Sequence, residues 1–442
     1  MPLDCLMMSF IGLFAALALL VILTMRGMSL FLATPVCALL IALTSGIALL
    51  PPLAEDGSAL TSLYMEGFSG FIKNWFLMFL LGSMFGKMME DSGAADRIAH
   101  WVMERIGAPR AAFGVVAACA ILTYGGVSVF VVAFSVYPTA LILFRAADLP
   151  RRFIPGALAF GSVTFTMTSA GSPEIQNWIP IQYLDTSPWS AWQASLITAV
   201  FMAVVGSWLL HRMLCRAKAR GEHFKERGDD PEVTSRTLPT VWRSFLPPLV
   251  VLIVSFGLHA RFGTSALMVS LLSGLLMIFV VCRKQMRRPQ QALAQGAVGA
   301  LIAIGNTAAV VGFGSVAKES EAFVRGVDWL ISTGGGGVAG AALAVTLICA
   351  LTGSASGGQA VALPLLAPAF LASGVDPDQL HRAVAIASGG LDSLPHNGYV
   401  VTTVRAICGE THRDAYGPIG ILTVVVPFLG LGLCLLLFHL GL

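Results

Sequence analysis

The chain has 442 residues, 56% of them apolar and 12% charged, with a formal net charge of +3. Its mean hydropathy is +0.80. Soluble globular proteins carry roughly 25% charged residues, so composition excludes a soluble enzyme, a disordered tail and a nucleic-acid binder. Apolar stretches long enough to cross a bilayer recur from end to end. The expected fold class is therefore an all-α polytopic membrane protein.

In chain order, apolar runs predict spans at 6–25, 29–50, 74–90, 152–170, 189–211, 244–260, 263–282, 292–316, 380–403 and 416–440. Met1 to Cys5 holds an aspartate and no Lys or Arg, so the first run reads as a retained span and not as a cleaved signal peptide. Two further apolar stretches, 111–144 and 336–372, are too long for single spans, and each has a Gly/Ser/Thr cluster near its middle. A re-entrant helical hairpin, entering and leaving by one side, accounts for both features. The eight cysteines include no two within three residues of each other, which excludes zinc and iron–sulfur spacings and leaves small buried thiols. Gly334 to Gly337 resembles a phosphate loop, but no GxxxxGK[ST] follows, so ATP-driven transport is not expected.

Charge placement predicts the orientation. The loop from Arg212 to Arg243, the cluster Arg283, Lys284, Arg287 and Arg288, and Arg26, Arg97, Arg105, Arg110, Arg145, Arg151, Arg152, Arg405 and Arg413 all fall on one side. Only Lys73, Arg261, Lys318, Arg325 and Arg382 fall on the other, which also holds Glu55, Asp56, Glu66, Asp376 and Asp378. This gives a multi-pass protein of a bacterial inner membrane with both termini periplasmic.

The two halves resemble each other at a separation of about 228 residues. Phe85-Gly86 aligns with Phe313-Gly314, Ser92 with Ser320, Ala94 with Ala322, Arg97 with Arg325 and Trp101 with Trp329. Each half runs span, amphipathic segment, hairpin, interrupted span, final span, and the halves enter the membrane from opposite sides. The expected organisation is 1–73, N-terminal helices and a periplasmic loop; 74–212, a first inverted repeat; 213–291, a cytoplasmic loop and linking helices; and 292–442, a second inverted repeat. Inverted repeats with interrupted helices are a transporter signature.

Four polar clusters break the apolar pattern. The first hairpin has Thr123, Tyr124, Gly125, Gly126 and Ser128; the span after it has Thr168, Ser169, Gly171, Ser172, Glu174 and Asn177. The second hairpin has Thr352, Gly353, Ser354, Ser356, Gly357, Gly358 and Gln359; its following span has Asp392, Ser393, His396 and Asn397. Gly and Pro open the backbone at mid-membrane, where freed amides and carbonyls need partners. Amides at half-helix N-termini suit a carboxylate, and nearby hydroxyl and amide side chains suit its substituents. Asp392 and His396 are four residues apart and would share a helix face, although Pro395 disturbs that geometry. A carboxylate this deep is costly unless paired or protonated, which marks Asp392, with His396 and Glu174, as candidates for proton coupling.

At these clusters the sequence resembles the gluconate permease (GntP-type) family of the ion transporter superfamily. The likeness is carried by "MMEDSGAADRIAHWVMERIGAPRAA" (88–112), "LTYGGVSVFVVAFSVYP" (122–138) and "RRFIPGALAFGSVTFTMTSAGSPEIQNWIP" (151–180), and more weakly by "LTGSASGGQAVALPLLAP" and "AIASGGLDSLPHNG". The resemblance implies proton-coupled uptake of small organic anions, two inverted repeats, re-entrant hairpins and a homodimer. It carries the site onto Thr123 to Ser128, Thr168 to Asn177, Thr352 to Gln359 and Ser388 to Asn397. The run Asp392-Ser393-Leu394-Pro395-His396-Asn397 departs from the Ser-His-Val-Asn-Asp-like run expected of gluconate transporters, so the resemblance does not fix gluconate as the substrate. The expectation is a symporter, not an enzyme, with no cofactor beyond a coupling ion, H+ or alternatively Na+. A sodium-coupled di- or tricarboxylate carrier and a cation/proton antiporter are the competing readings.

Overall fold

The structure, a computed structural model, describes residues 3–53, 58–107, 110–228, 237–333 and 337–442. Glu55, Asp56, Arg236 and Gly334 to Gly336 lie outside the described residues. Helices form nearly all of the rest; an isolated bridge between Ala48 and Ala59 is the one β pairing among the described residues. Eight helices are long and apolar enough to cross a membrane, again among the described residues. Lipid-facing positions read outward as expected for such a chain: Val200, Val204 and Trp208 on Trp192–Ala219 are all more than half exposed.

The second half repeats the first element by element. Leu60–Asp91 answers Pro289–Ala317, and Ala94–Ile106 answers Glu321–Thr333, each of the latter 13 residues long. The hairpin arms Ala111–Tyr124 and Val129–Ala146 answer Val338–Thr352 and Ala355–Ala372. The short helix Ile154–Ala159, unwound beyond Thr164, answers Pro377–Ser388, unwound up to Asn397. Both expected hairpins are present, with tips at Gly125–Ser128 and Gly353–Ser354. The leading pairs also correspond, Leu3–Met25 and Leu30–Ser45 with Val241–Phe262 and Ser265–Val281. Each leading helix packs on the amphipathic helix of the other half: Leu3–Met25 on Glu321–Thr333, and Val241–Phe262 on Ala94–Ile106. At the second contact Trp101 meets Phe245 edge-on at 5.3 Å.

The span read at 74–90 is longer than expected. Its helix begins at Leu60 and runs 32 residues to Asp91, about 48 Å at 1.5 Å per residue against a bilayer core of about 30 Å. Glu66, Lys73 and Asn74 make its first half polar, which ended the apolar run, but no proline interrupts the backbone. Small residues seat this helix against Pro289–Ala317 over its whole length: Gly312 lies on the Tyr64 carbonyl and Gly296 on the Met84 backbone. Close backbone approach at small residues is how helices associate without a hydrophobic driving force.

Several basic stretches share one face of the molecule. Arg152 pairs with Glu222 through both oxygens at 2.7 and 2.9 Å, Asp148 accepts from His223 at 2.6 Å, and Lys218 donates to the Ala147 carbonyl. Arg227 reaches the Gly409 carbonyl at 2.6 Å and Glu410 at 2.9 Å, and Asp91 accepts from the Arg287 and Arg288 amides. The stretch 218–228 is thus a strap that ties the end of the first hairpin to the last turn of the second broken helix.

Candidate substrate and coupling site

The hairpin tips turn where the sequence supplies glycine in the left-handed region: Gly126 has φ +86° and Gly353 has φ +62°. Each tip delivers its cluster to an unwound stretch. The Tyr124 hydroxyl donates to the Ala170 carbonyl at 2.5 Å, and Gly126 abuts Pro173, so the first hairpin meets the first unwound segment. In the second half Asn397 donates to the Gly353 carbonyl at 3.1 Å, and the His396 ring lies directly against Gly353.

The halves then join. Gln359 on the second hairpin donates to the Gln176 carbonyl at 3.0 Å and to Ser388 Oγ at 2.9 Å. Gly389 faces the Thr168 methyl, and Phe130 meets the Tyr399 ring edge-on at 5.5 Å. All four clusters are therefore linked. Thr168, Ser172, Asn177, Thr352, Gln359 and Ser393 are buried. Thr123 Oγ1, Gln359 Oε1 and His396 Nε2 are buried without a hydrogen-bond partner among the described residues, and unsatisfied polar atoms of this kind mark places where a ligand, ion or water completes the bonding.

Some predicted residues serve the protein itself. Ser354 Oγ accepts from the Gly357 amide at 3.1 Å, and Asn397 Oδ1 from the Val400 amide at 3.0 Å, so both side chains cap the helices they open. Gly358 lets its arm lie against Cys349, and Gly171 sits under the Trp189 ring. Thr352 Oγ1 is satisfied within its own arm by the Ile348 carbonyl. At the first hairpin Ser128 makes no capping bond, which leaves the amides of Val129–Ala146 the less occupied of the two arm N-termini.

The coupling candidates are arranged differently from the expectation. Residues 389–396 form turns and bends, so Asp392 and His396 share no helix face; Gly389, Gly390 and Pro395 keep the backbone from helical bonding there. Asp392 is buried, accepts from Ser393 Oγ at 2.9 Å and makes no ion pair among the described residues. Tyr416 closes over it, donating to the Ser393 carbonyl at 3.2 Å. Glu174, half-buried, likewise has no ion pair among the described residues.

Arg382 corrects a second expectation. Counted as an outer-loop residue, it is fully buried and donates to the carbonyls of Thr168 (2.7 Å), Ser190 (3.1 Å) and Pro188 (3.1 Å) and to Asn177 Oδ1 (2.8 Å). Neighbouring His381 is also buried and shares a 2.7 Å bond with Thr186. The available signal was Arg382, beside His381, standing immediately before the apolar run 383–387 of a span.

Two repeated halves with broken helices meeting at buried polar clusters suit a transporter, and comparison with known proteins identifies which kind. The model of the GntP family permeases matches residues 7–437. The chain belongs to the GntP permease family. An uncharacterized transporter of Bacillus subtilis strain 168, YxjC, is 34% identical over 462 aligned positions, covering 95% of this chain and 96% of the relative. An uncharacterized transporter of Haemophilus influenzae is 26% identical, with 79% of this chain and 81% of the relative covered. Among solved structures, the YdaH transporter of Alcanivorax borkumensis, described as having an unusual topology, superposes with a TM-score of 0.59 over 93% of this chain and 98% of that one. At 16% identity that likeness speaks for the fold alone. This GntP-family permease is a multi-pass membrane transporter and not an enzyme.

Proposed function

We propose that this permease is a symporter that carries a small organic anion, a hydroxy acid or sugar acid such as gluconate, across the inner membrane together with protons. One observation carries the reading: Gln359 bridges Gln176 of the first half and Ser388 of the second, beside buried polar atoms without partners. Two oppositely oriented halves clasping one polar centre suit alternating access. Hydroxyl, amide and backbone N–H groups at the clusters bind the anion, and Asp392, with His396 four residues on and Glu174 in the first half, carries the coupling proton. An acid without a counter-cation in a low-dielectric interior favours carrying its own proton, which is the property a coupling group needs. The shared basic face faces the cytoplasm, so both termini are periplasmic, and the transporter works as a homodimer.

The test is uptake into proteoliposomes of labelled gluconate, glycerate, lactate and citrate under an inward proton gradient or an inward sodium gradient. Accumulation driven by protons alone supports the reading; accumulation driven only by sodium replaces it with a sodium-coupled carrier. Asp392→Asn should abolish uphill uptake while leaving exchange of internal for external substrate. Uphill uptake surviving in that variant removes Asp392 from the coupling role.

A further inference from the structure

Arg382 is a guanidinium at 0% exposure inside a helix of the second repeat. Arginine keeps its charge in proteins and has five N–H donors. Four of them are used, by Thr168, Ser190, Pro188 and Asn177, and one hydrogen on Nη2 is left. All four acceptors are neutral. No carboxylate lies within ion-pair distance of it among the described residues, and Asp378, one turn earlier, is exposed and outside that range. Carbonyl dipoles solvate a buried cation but do not cancel it, and buried charge is ordinarily paired.

The acceptors define where that unpaired charge sits. All come from the stretch 168–190, broken backbone that holds only the 3-10 turn Ile175–Asn177 and the short helix Ile181–Leu184, and two of the four, Thr168 and Asn177, belong to the cluster proposed to bind substrate. Six residues further along Arg382's own helix, Ser388 holds Gln359. The cation is therefore built into the seam where the two halves meet. Clamping a loop needs donors, and a neutral glutamine would supply two of the four; a full unit charge in a membrane interior still lacks a partner.

We propose that Arg382 is the fixed positive charge of the substrate site: it holds the stretch 168–190 with four N–H bonds and balances the carboxylate of the bound anion with its remaining N–H and its charge. This rests on the organic-anion reading above. Arg382 is then a specificity-determining residue, selecting a carboxylate over an uncharged polyol of the same shape.

The experiment is exchange of labelled D-gluconate, D-glycerate and L-lactate in proteoliposomes of the full chain, with sorbitol as uncharged competitor to gluconate. Arg382→Gln should raise KM about 30-fold, the order expected for loss of a charge-assisted bond, and narrow the preference for gluconate over sorbitol. Arg382→Lys keeps the charge and loses the fork, and should stay within about 5-fold of wild-type KM. An unchanged KM in the glutamine variant, or lysine no better than glutamine, overturns the inference and leaves the transport reading standing. If the glutamine variant does not insert, the lysine variant decides: KM near wild type with the gluconate preference kept supports it, and a rise of the 30-fold order overturns it. Wild-type protein that exchanges none of the three acids overturns the organic-anion reading, and the inference with it.

Discussion

Gly353→Ala tests the join between the second hairpin tip and the broken helix at a single atom. The residue has φ +62°, a conformation that costs an L-residue with a Cβ about 1–2 kcal/mol. The added carbon would lie 2.5 Å from His396 Cδ2 and 2.6 Å from Nε2, closer than real contacts permit, so the ring or the tip must shift. Overpacking of this kind costs about 1–3 kcal/mol, and the two effects together reach about 2–5 kcal/mol. At about 2 °C per kcal/mol for a chain of this size, the melting temperature in detergent should fall about 4–10 °C. The contributions separate in a double-mutant cycle. With His396→Ala in place the steric part disappears, and Gly353→Ala should then cost only its backbone part, leaving a coupling of about 1–3 kcal/mol. A cycle with no coupling would mean that His396 does not rest on the tip, and the packing of the second hairpin against residues 389–397 would have to be redrawn.

Two further outcomes concern the basic face. Glu410 and Arg151 are both buried, 3.3 Å apart, with Arg227 also on Glu410; Glu410→Ala leaves Arg151 short of its carboxylate and should destabilise by about 3 kcal/mol, read by thermal unfolding beside Glu410→Gln, which keeps the shape and should cost less. A loss under about 0.5 kcal/mol for the alanine variant would show that the pair is not desolvated. The strap has a definite pH window. The Arg152 guanidinium beside Glu222 holds its carboxyl below the ordinary 4.5, and His223 with the Phe224 amide lowers Asp148 in the same way. Depressed carboxylates contribute stability that is complete above their ordinary range and is lost as pH falls through the lowered values. Hydrogen exchange at 218–228, corrected for intrinsic rates, should hold constant from pH 8 to 6 and rise only below about pH 4.5, the unfolded-state range; exchange that stays flat down to about pH 2 would show that these carboxylates do not hold the strap.

The hairpins were legible because a Gly/Ser/Thr break in an apolar run has few physical explanations. A continuous helix of 34 residues would overshoot the bilayer, and a break at mid-depth must bury its backbone in protein. The described arms, Ala111–Tyr124 with Val129–Ala146 and Val338–Thr352 with Ala355–Ala372, lie within a few residues of the expected bounds for that reason. Hydropathy failed at Leu60 for an equally definite reason. It measures the fitness of side chains for lipid, whereas the helix continues for as long as the backbone can bond to itself, and Pro289–Ala317 packs along it while Glu66 and Lys73 stay exposed.

The site divides along the same line, between what one stretch of chain determines and what two stretches determine together. Gly126 and Gly353 could be read locally, since only glycine enters the left-handed region freely. Arg382 could not, because the groups that accept its bonds lie at Thr168, Asn177, Pro188 and Ser190, about two hundred residues earlier, and become available only when that stretch unwinds. A charge-counting rule assigns arginine to water because it prices the side chain alone. Once four neutral oxygen acceptors are fixed in advance by that neighbouring stretch, part of the solvation lost on leaving water is restored, which lowers the cost of the charge without cancelling it. The broken segment therefore supplies the partial solvation shell that lets Arg382 stand where the two halves meet.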